Sequence, residues 1–522
     1  MDKIRITPAK VWGIAVAVVV LAGLALLLAW VSHGCQSVIG WHRFLLTEVI
    51  SLAIAWAGFR LLKNEDIPAW LTWLVAGAVA LRLATGIFWA AALPVWGYPN
   101  QIQQAGYVMF DPFLRDGDAW ELAQSDEPLI SAFWGYSPHD QYGGLLFLSA
   151  LLYRTLGGNI HQPLLVVVVT SMASGMAVLF AWGFIQRLWG YQPAARLAAW
   201  GLALYPEAVL LGSSQMRGAF TISLGAALAY LVLRFYQERK RLDLLLIALL
   251  AAVTAAFTWA YLFQLAAVLG LLTIGLLLAD IDPQAQSRWR KIGWAVLAGA
   301  LLLTGGVLWP FLSSMNSYQT YLTERASGLV QAVLGRLPEF LHIPFVVSYG
   351  VVRPLLPAAL METGTAQLWQ VVAIWRAIGW TVLLTLLVYA TLTVIRSREW
   401  LTPAGMLMWG NWLIILVASF RAGGDLWDNP RYRAGFVVFQ IALVVWALLQ
   451  HQSRRTPLLR RLIVVVALME IVITLWYASR YSESSLLAGR VETRVLIGMA
   501  IGMAYLLLDW LWEVWMKKER KP

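Results

Sequence analysis

The chain has 522 residues, of which 60% are hydrophobic and only 13% charged, and its mean hydropathy is +0.68. That balance excludes a soluble globular protein, which would need far more charged surface, and a single cysteine, Cys35, excludes an intramolecular disulfide framework. The net charge of +11 is not the footprint of a nucleic-acid partner, because the basic residues sit in short clusters between long apolar runs.

Those clusters are Lys3, Arg5 and Lys10; Arg234, Arg239, Lys240 and Arg241; Arg288, Arg290 and Lys291; Arg454, Arg455, Arg460 and Arg461; and Lys517, Lys518, Arg520 and Lys521. Cationic loops of this kind stay cytoplasmic and set topology. The first apolar run, 11–31, lacks a small-residue cleavage site and reads as a retained helix. With the N-terminus inside, spans at 11–31, 44–62 and 69–94 leave residue 95 outside. Working back from the basic C-terminus, spans at 492–513, 461–478, 436–450, 401–419, 369–396, 292–313, 262–280, 243–261, 219–236, 193–211 and 163–187 place residue 162 outside as well. The apolar stretch 142–156 then begins and ends on the outer side and is short for a crossing, which fits an in-plane or re-entrant helix. The expected fold is an all-α polytopic membrane protein with about fourteen transmembrane helices and both chain ends inside.

This gives N-terminal spans at 1–94, an outer loop with an in-plane helix at 95–162, core spans at 163–313, a second outer loop at 314–368, and C-terminal spans at 369–522 that carry the outer loop 421–435. The first outer loop reads YVMFDPFLRDGDAWELAQSDEP and gathers Asp111, Arg115, Asp116, Asp118 and Glu121 on an otherwise apolar protein. Grouped carboxylates can accept a proton from an attacking hydroxyl or hold a divalent cation, Mg or Mn, against a phosphate. Asp116 or Asp118 before AWELA would equally serve as a helix N-cap. His139 and Asp140 follow, just ahead of the in-plane helix.

At the join of two later spans, ALYPEAVLLGSSQMRGAF carries Glu207, Ser213, Ser214, Gln215 and Arg217. Arg217 there could bind a lipid-linked phosphate through its two-pronged donor set, or snorkel to headgroups. The late segment RAGGDLWDNPRYRAGF carries Arg421, Asp425, Asp428, Arg431 and Arg433 on the outer side, against the positive-inside trend, which points to an anionic ligand. Glu48, Arg82, Arg376 and Glu470 fall within spans, where structural pairing is the expected role.

In order, these features resemble the GT-C superfamily of polytopic glycosyltransferases, particularly the dolichyl-phosphate-mannose mannosyltransferase and aminoarabinose transferase branch. The resemblance covers residues 70–240 and the Arg-Tyr-Arg segment 431–433. GDAWELA, from Gly117 to Ala123, is similar to the family's acidic first-loop motif, and DQYGGLLFLSALLYRTLGG to its helix-leading segment. WGLALYPEAVLLGSSQMR resembles the Pro-containing helix end with its Ser- and Arg-bearing turn, and NPRYRAGF the late segment. The chain departs from the pattern at Gly218 and at Ala434-Gly435, so the resemblance names neither sugar nor acceptor.

The resemblance implies a polyprenyl-phosphate sugar donor, a lipid, glycan or protein acceptor, and direct displacement with inversion on the outer face of the plasma (inner) membrane. It implies Asp111, Asp118 or Asp116 as the base. Arg217, Arg431 and Arg433 would contact phosphate, and Arg115, Glu121, His139, Asp140 and Gln215 would contact substrate. Two other classes compete with it. An O-antigen ligase or polymerase would place its decisive Arg and His residues in late outer loops. A lipid-linked glycan flippase or transporter would show repeated halves with interrupted helices.

Overall fold

The structure is a computed structural model, which describes residues 8–280, 327–362, 366–421, 430–454, 456–481 and 489–519. Among these residues the chain is helical throughout, with no strand. It is a multi-pass membrane protein: ten described helices are long and apolar enough to cross a bilayer, eleven if one bent pair is counted as a span.

The chain divides into two compact units at Leu265/Ala266, inside the stretch 163–313 that the sequence reading kept whole. The first unit holds α1 (Pro8–Ser32), α2 (Trp41–Leu61), α3 (Ala69–Trp96), α4 (Gln101–Gln104), α5 (Phe110–Gln124), α6 (Gly144–Leu152), α7 (Leu164–Trp189), α8 (Gln192–Leu204), α9 (Pro206–Gly212) and α10 (Arg217–Glu238). Its centre is α7, apolar around nearly its whole circumference, as a helix surrounded by others should be. Helices α2, α3, α8 and α10 pack on it.

The span expected at 193–211 is broken, with α8 and α9 meeting at a 54° bend. Pro206 causes it: its ring nitrogen has no hydrogen to give the carbonyl four residues back. Arg82 of α3, wholly buried, repairs the break by donating to the carbonyls of Leu202 (3.3 Å) and Ala203 (3.2 Å) and to Ser174 Oγ (2.8 Å). Freed backbone groups inside a membrane need such a partner. Glu48 differs from the structural pairing expected of it, since neither carboxylate oxygen has a hydrogen-bond partner among the described residues.

Residues 243–280 were expected as two spans meeting near 261. They run as two helices in succession within α11 (Arg241–Ala279), joined at a kink where Thr258 leaves the helical region at φ −171° and ψ 99°. At 1.5 Å per residue its 39 residues give about 58 Å of helix in all, roughly twice the bilayer core and so enough for two crossings. The expected break therefore falls three residues earlier, at Thr258.

The second unit continues from α11 with α12 (Gly328–Leu334), α13 (His342–Val352), α14 (Leu356–Met361), α15 (Gln367–Ser397), α16 (Pro403–Arg421), α17 (Arg431–Ala434), α18 (Val437–Arg454), α19 (Leu458–Tyr481) and α20 (Val491–Glu519). The expected spans at 369–396, 401–419, 461–478 and 492–513 match α15, α16, α19 and α20. The one expected at 436–450 is the shorter apolar α18. The expected span 292–313, with Asp425 and Asp428, lies outside the described residues.

Candidate functional site

Residues 97–163 fold over the first unit as α5, a 3-10 turn at Leu129–Phe133, and α6 extended by one π turn, Tyr153–Gly157. The helix expected at 142–156 is thus present, from Gly144 to Gly157. Two glycines let it start there. Gly143 has φ +80°, and a Cβ on Gly144 would stand 2.7 Å from the carbonyl carbon of Ala256.

Asp140 anchors the same helix. It is buried and accepts from the backbone N–H groups of Tyr142 (3.1 Å), Gly143 (3.3 Å) and Leu146 (3.2 Å). Arg115 Nε lies 3.2 Å from one of its oxygens and Arg217 NH1 3.7 Å from the other. Arg115 also donates to the Gln215 carbonyl at 3.3 Å, and Gln215 Nε2 donates to the Pro163 carbonyl at 3.0 Å. Asp140, Arg115 and Gln215 therefore tie α5, α6 and the 213–217 turn together. Trp89 Nε1 pins that turn from α3 by donating to Ser213 Oγ at 3.0 Å. Arg217 itself is partly exposed, its guanidinium 4.7 Å above the Tyr142 ring.

Helix α5 starts at Phe110, well before AWELA, so neither Asp116 nor Asp118 is an N-cap. Asp111 lies in its first turn, half-buried, where a negative charge suits the helix dipole. Asp116 and Asp118 sit mid-helix. The Asp116 side chain is fully buried, accepts hydrogen bonds from the hydroxyls of Tyr107 and Tyr153, and lies 2.8 Å from His161 Nε2. Burial first, and then the adjacent Asp116 carboxylate, push both phenols well above the usual tyrosine range, so both stay protonated donors. The π turn, a widened turn that often marks functional sites, carries Tyr153.

Asp118 is 22% exposed and accepts from Ser137 Oγ, with His139 Nδ1 at 2.8 Å. It lines a cavity of about 390 Å³ together with Tyr107, Phe113, Gly117 and His161. A second cavity of about 140 Å³, bounded by Ser32, Trp89, Tyr107 and Ser213 to Gln215, shares Tyr107 with the first. Glu121 is exposed, and neither it nor Asp111 lines either cavity.

His161 and its Tyr partners were missed by sequence reasoning. The signal was the lone His of GGNIHQPL, just past the helix Gly144–Gly157. Its partner Asp116 is 45 residues earlier, beyond the reach of any local pattern.

In the second unit the two arginines of the Arg-Tyr-Arg segment differ in their contacts. Arg433 is buried with its guanidinium 3.4 Å from the Trp380 ring centre, and it donates to the carbonyls of Gly350 (3.0 Å) and Arg353. It is engaged with the C-terminal end of α13. Arg431 is half-buried, and Tyr432 lies between it (5.1 Å) and Arg421 (4.8 Å).

Among the described residues no three His, Cys, Asp or Glu side chains converge as a metal-binding group. The carboxylates are engaged instead by tyrosine, serine, histidine and arginine, so the residues present do not fit the divalent cation suggested by the acidic loop. The chain matches no protein-family model and no curated protein.

Proposed function

We propose that the chain is a membrane glycosyltransferase of the GT-C type. It moves a sugar from a polyprenyl-phosphate donor to a hydroxyl or amine of a lipid, glycan or protein acceptor on the outer face of the plasma (inner) membrane. The observation that carries this reading is Asp118, a carboxylate positioned by Ser137 and His139 and facing a cavity of ligand size. Its partner His139 is the chain neighbour of Asp140, which holds Arg217. Base and phosphate-binding cation are thereby built on adjoining residues.

In the reaction Asp118 takes the proton of the acceptor, whose oxygen or nitrogen bonds to the anomeric carbon from the face opposite the phosphate. The bond from that carbon to the phosphate oxygen breaks, and its electron pair leaves on the lipid phosphate. Arg217, held at Asp140, supplies the cation that meets that charge. Purified protein incubated with a panel of polyprenyl-phosphate sugars and simple acceptors should release lipid phosphate from at least one donor. Absence of release from every donor, or full activity in Asp118→Asn, would reject the reading.

A further inference from the structure

Resting on the glycosyl-transfer reading above, we propose that His161 is a second catalytic residue, the imidazole that meets the leaving phosphate, with Asp116 as its positioning residue. His161 and Asp118 line the same cavity, so a base and a second proton-carrying group share one space. Displacement at a sugar carbon needs both, because a proton leaves the acceptor while negative charge gathers on the departing oxygen.

The surroundings of His161 fix its role. Its Nε2 is buried 2.8 Å from Asp116, whose carboxylate already accepts from two tyrosine hydroxyls. A carboxylate this close stabilises the imidazolium through its charge. The Nδ1 atom makes no hydrogen bond among the described residues and carries the transferable proton. Stacking on Trp120, 4.9 Å between ring centres at 30°, sets the ring plane, and a third of the side chain stays exposed.

The two N-terminal helices complete the arrangement, which gives them a purpose the sequence did not suggest. Arg43 of α2 donates to the Gly157 carbonyl, and Gln162 Nε2 donates to the Ile39 carbonyl at 3.1 Å. These contacts bracket His161 on both sides, so the α1–α2 pair is its mount. During transfer the electron pair of the breaking carbon–oxygen bond moves onto the phosphate oxygen, which takes the Nδ1 proton. Asp118 holds the proton removed from the acceptor, and the two protonation states reset through solvent.

The test compares wild type with His161→Gln, Tyr107→Phe and Asp118→Asn. The readouts are release of lipid phosphate across pH and rates with sugar monophosphate and diphosphate lipid donors. The titratable groups facing His161 are Asp116, Tyr107, Tyr153 and, across the cavity, Asp118. Burial and the Asp116 carboxylate hold both tyrosines well above their usual range, so they stay protonated in the assay.

His161→Gln is expected to lose about 10²- to 10⁴-fold in rate, to lose the alkaline limb, and to recover partly with the diphosphate, a weaker leaving base. Tyr107→Phe removes one donor from Asp116, strengthens its hold on the imidazolium, and should move the alkaline midpoint upward. Wild-type rates in His161→Gln overturn this role while leaving glycosyl transfer standing. So does a rate loss with the pH profile and donor preference unchanged, or an unmoved midpoint in Tyr107→Phe. A wild type inert on every donor overturns both.

Discussion

Asp116 and Asp118 are the same residue type, two positions apart on one helix, yet the structure uses them in opposite ways. Neighbours at that spacing are about 200° apart around a helix axis, so they face opposite sides. Asp116 turns inward to two phenols and an imidazole, while Asp118 turns to Ser137 and His139 beside the cavity. A buried carboxylate with three partners is scaffold and orienter; one that keeps a face open is available to a substrate. Position on the helix, more than chemical identity, separates the two roles.

The sharpest way to break the comparison is to neutralise the open member. Asp118→Asn should lower transfer by about 10²- to 10⁴-fold, equivalent to about 3–5 kcal/mol of barrier. Its melting temperature should stay near wild type, because Ser137 and His139 keep a partner. Paired rate and melting measurements would sink the distinction if stability fell and the rate did not. Asp116→Ala should lower the rate through His161 and, unlike Asp118→Asn, also destabilise by about 3–5 kcal/mol, since it strands two phenol hydroxyls in the interior. Denaturation in detergent or lipid checks this, and a change below about 1 kcal/mol would show that the burial of Asp116 carries no structural weight.

Arg431 and Arg433 repeat the contrast in the second unit. Arg433→Lys should destabilise by about 1–3 kcal/mol, because an ammonium cannot both stack on Trp380 and reach the carbonyls of Gly350 and Arg353. Arg431→Lys should stay within about 0.5 kcal/mol. If binding of the polyprenyl-phosphate donor falls only in Arg431 variants, the phosphate role belongs to that position. Equal melting temperatures for the two Lys variants would refute the division.

What the sequence made legible follows from what is local. Apolar runs and basic clusters placed α7, α10, α15 and α16 to within a few residues, and the shortness of 142–156 revealed the helix at Gly144–Gly157. Residues 95–162 were legible as the place where polar side chains collect. The proposed base, Asp118, was not separable from its neighbours, because facing depends on where α5 begins, and it begins at Phe110. Thr258 carries no breaker signal, so the break in α11 could not be located. His161 and Arg82 act on partners far away in sequence, and only the packing of the chain brings them there.

The smallest expected effect concerns the third carboxylate of the same helix, Asp111, and it decides whether facing or mere membership of the acidic loop confers the chemistry. Asp111 occupies the first turn of α5, where unpaired backbone N–H groups leave a partial positive charge. Its favourable interaction there is worth about 0.3–1 kcal/mol. Asp111→Asn should therefore lower stability by no more than that, and transfer should fall by less than tenfold, through slight loosening of the helix that carries Asp118. Raising ionic strength should shrink the stability difference, since a charge–dipole interaction near the surface is screened. A loss of 10²-fold or more with stability intact would show that Asp111 reaches the acceptor itself, and would transfer the role of base from Asp118 to Asp111.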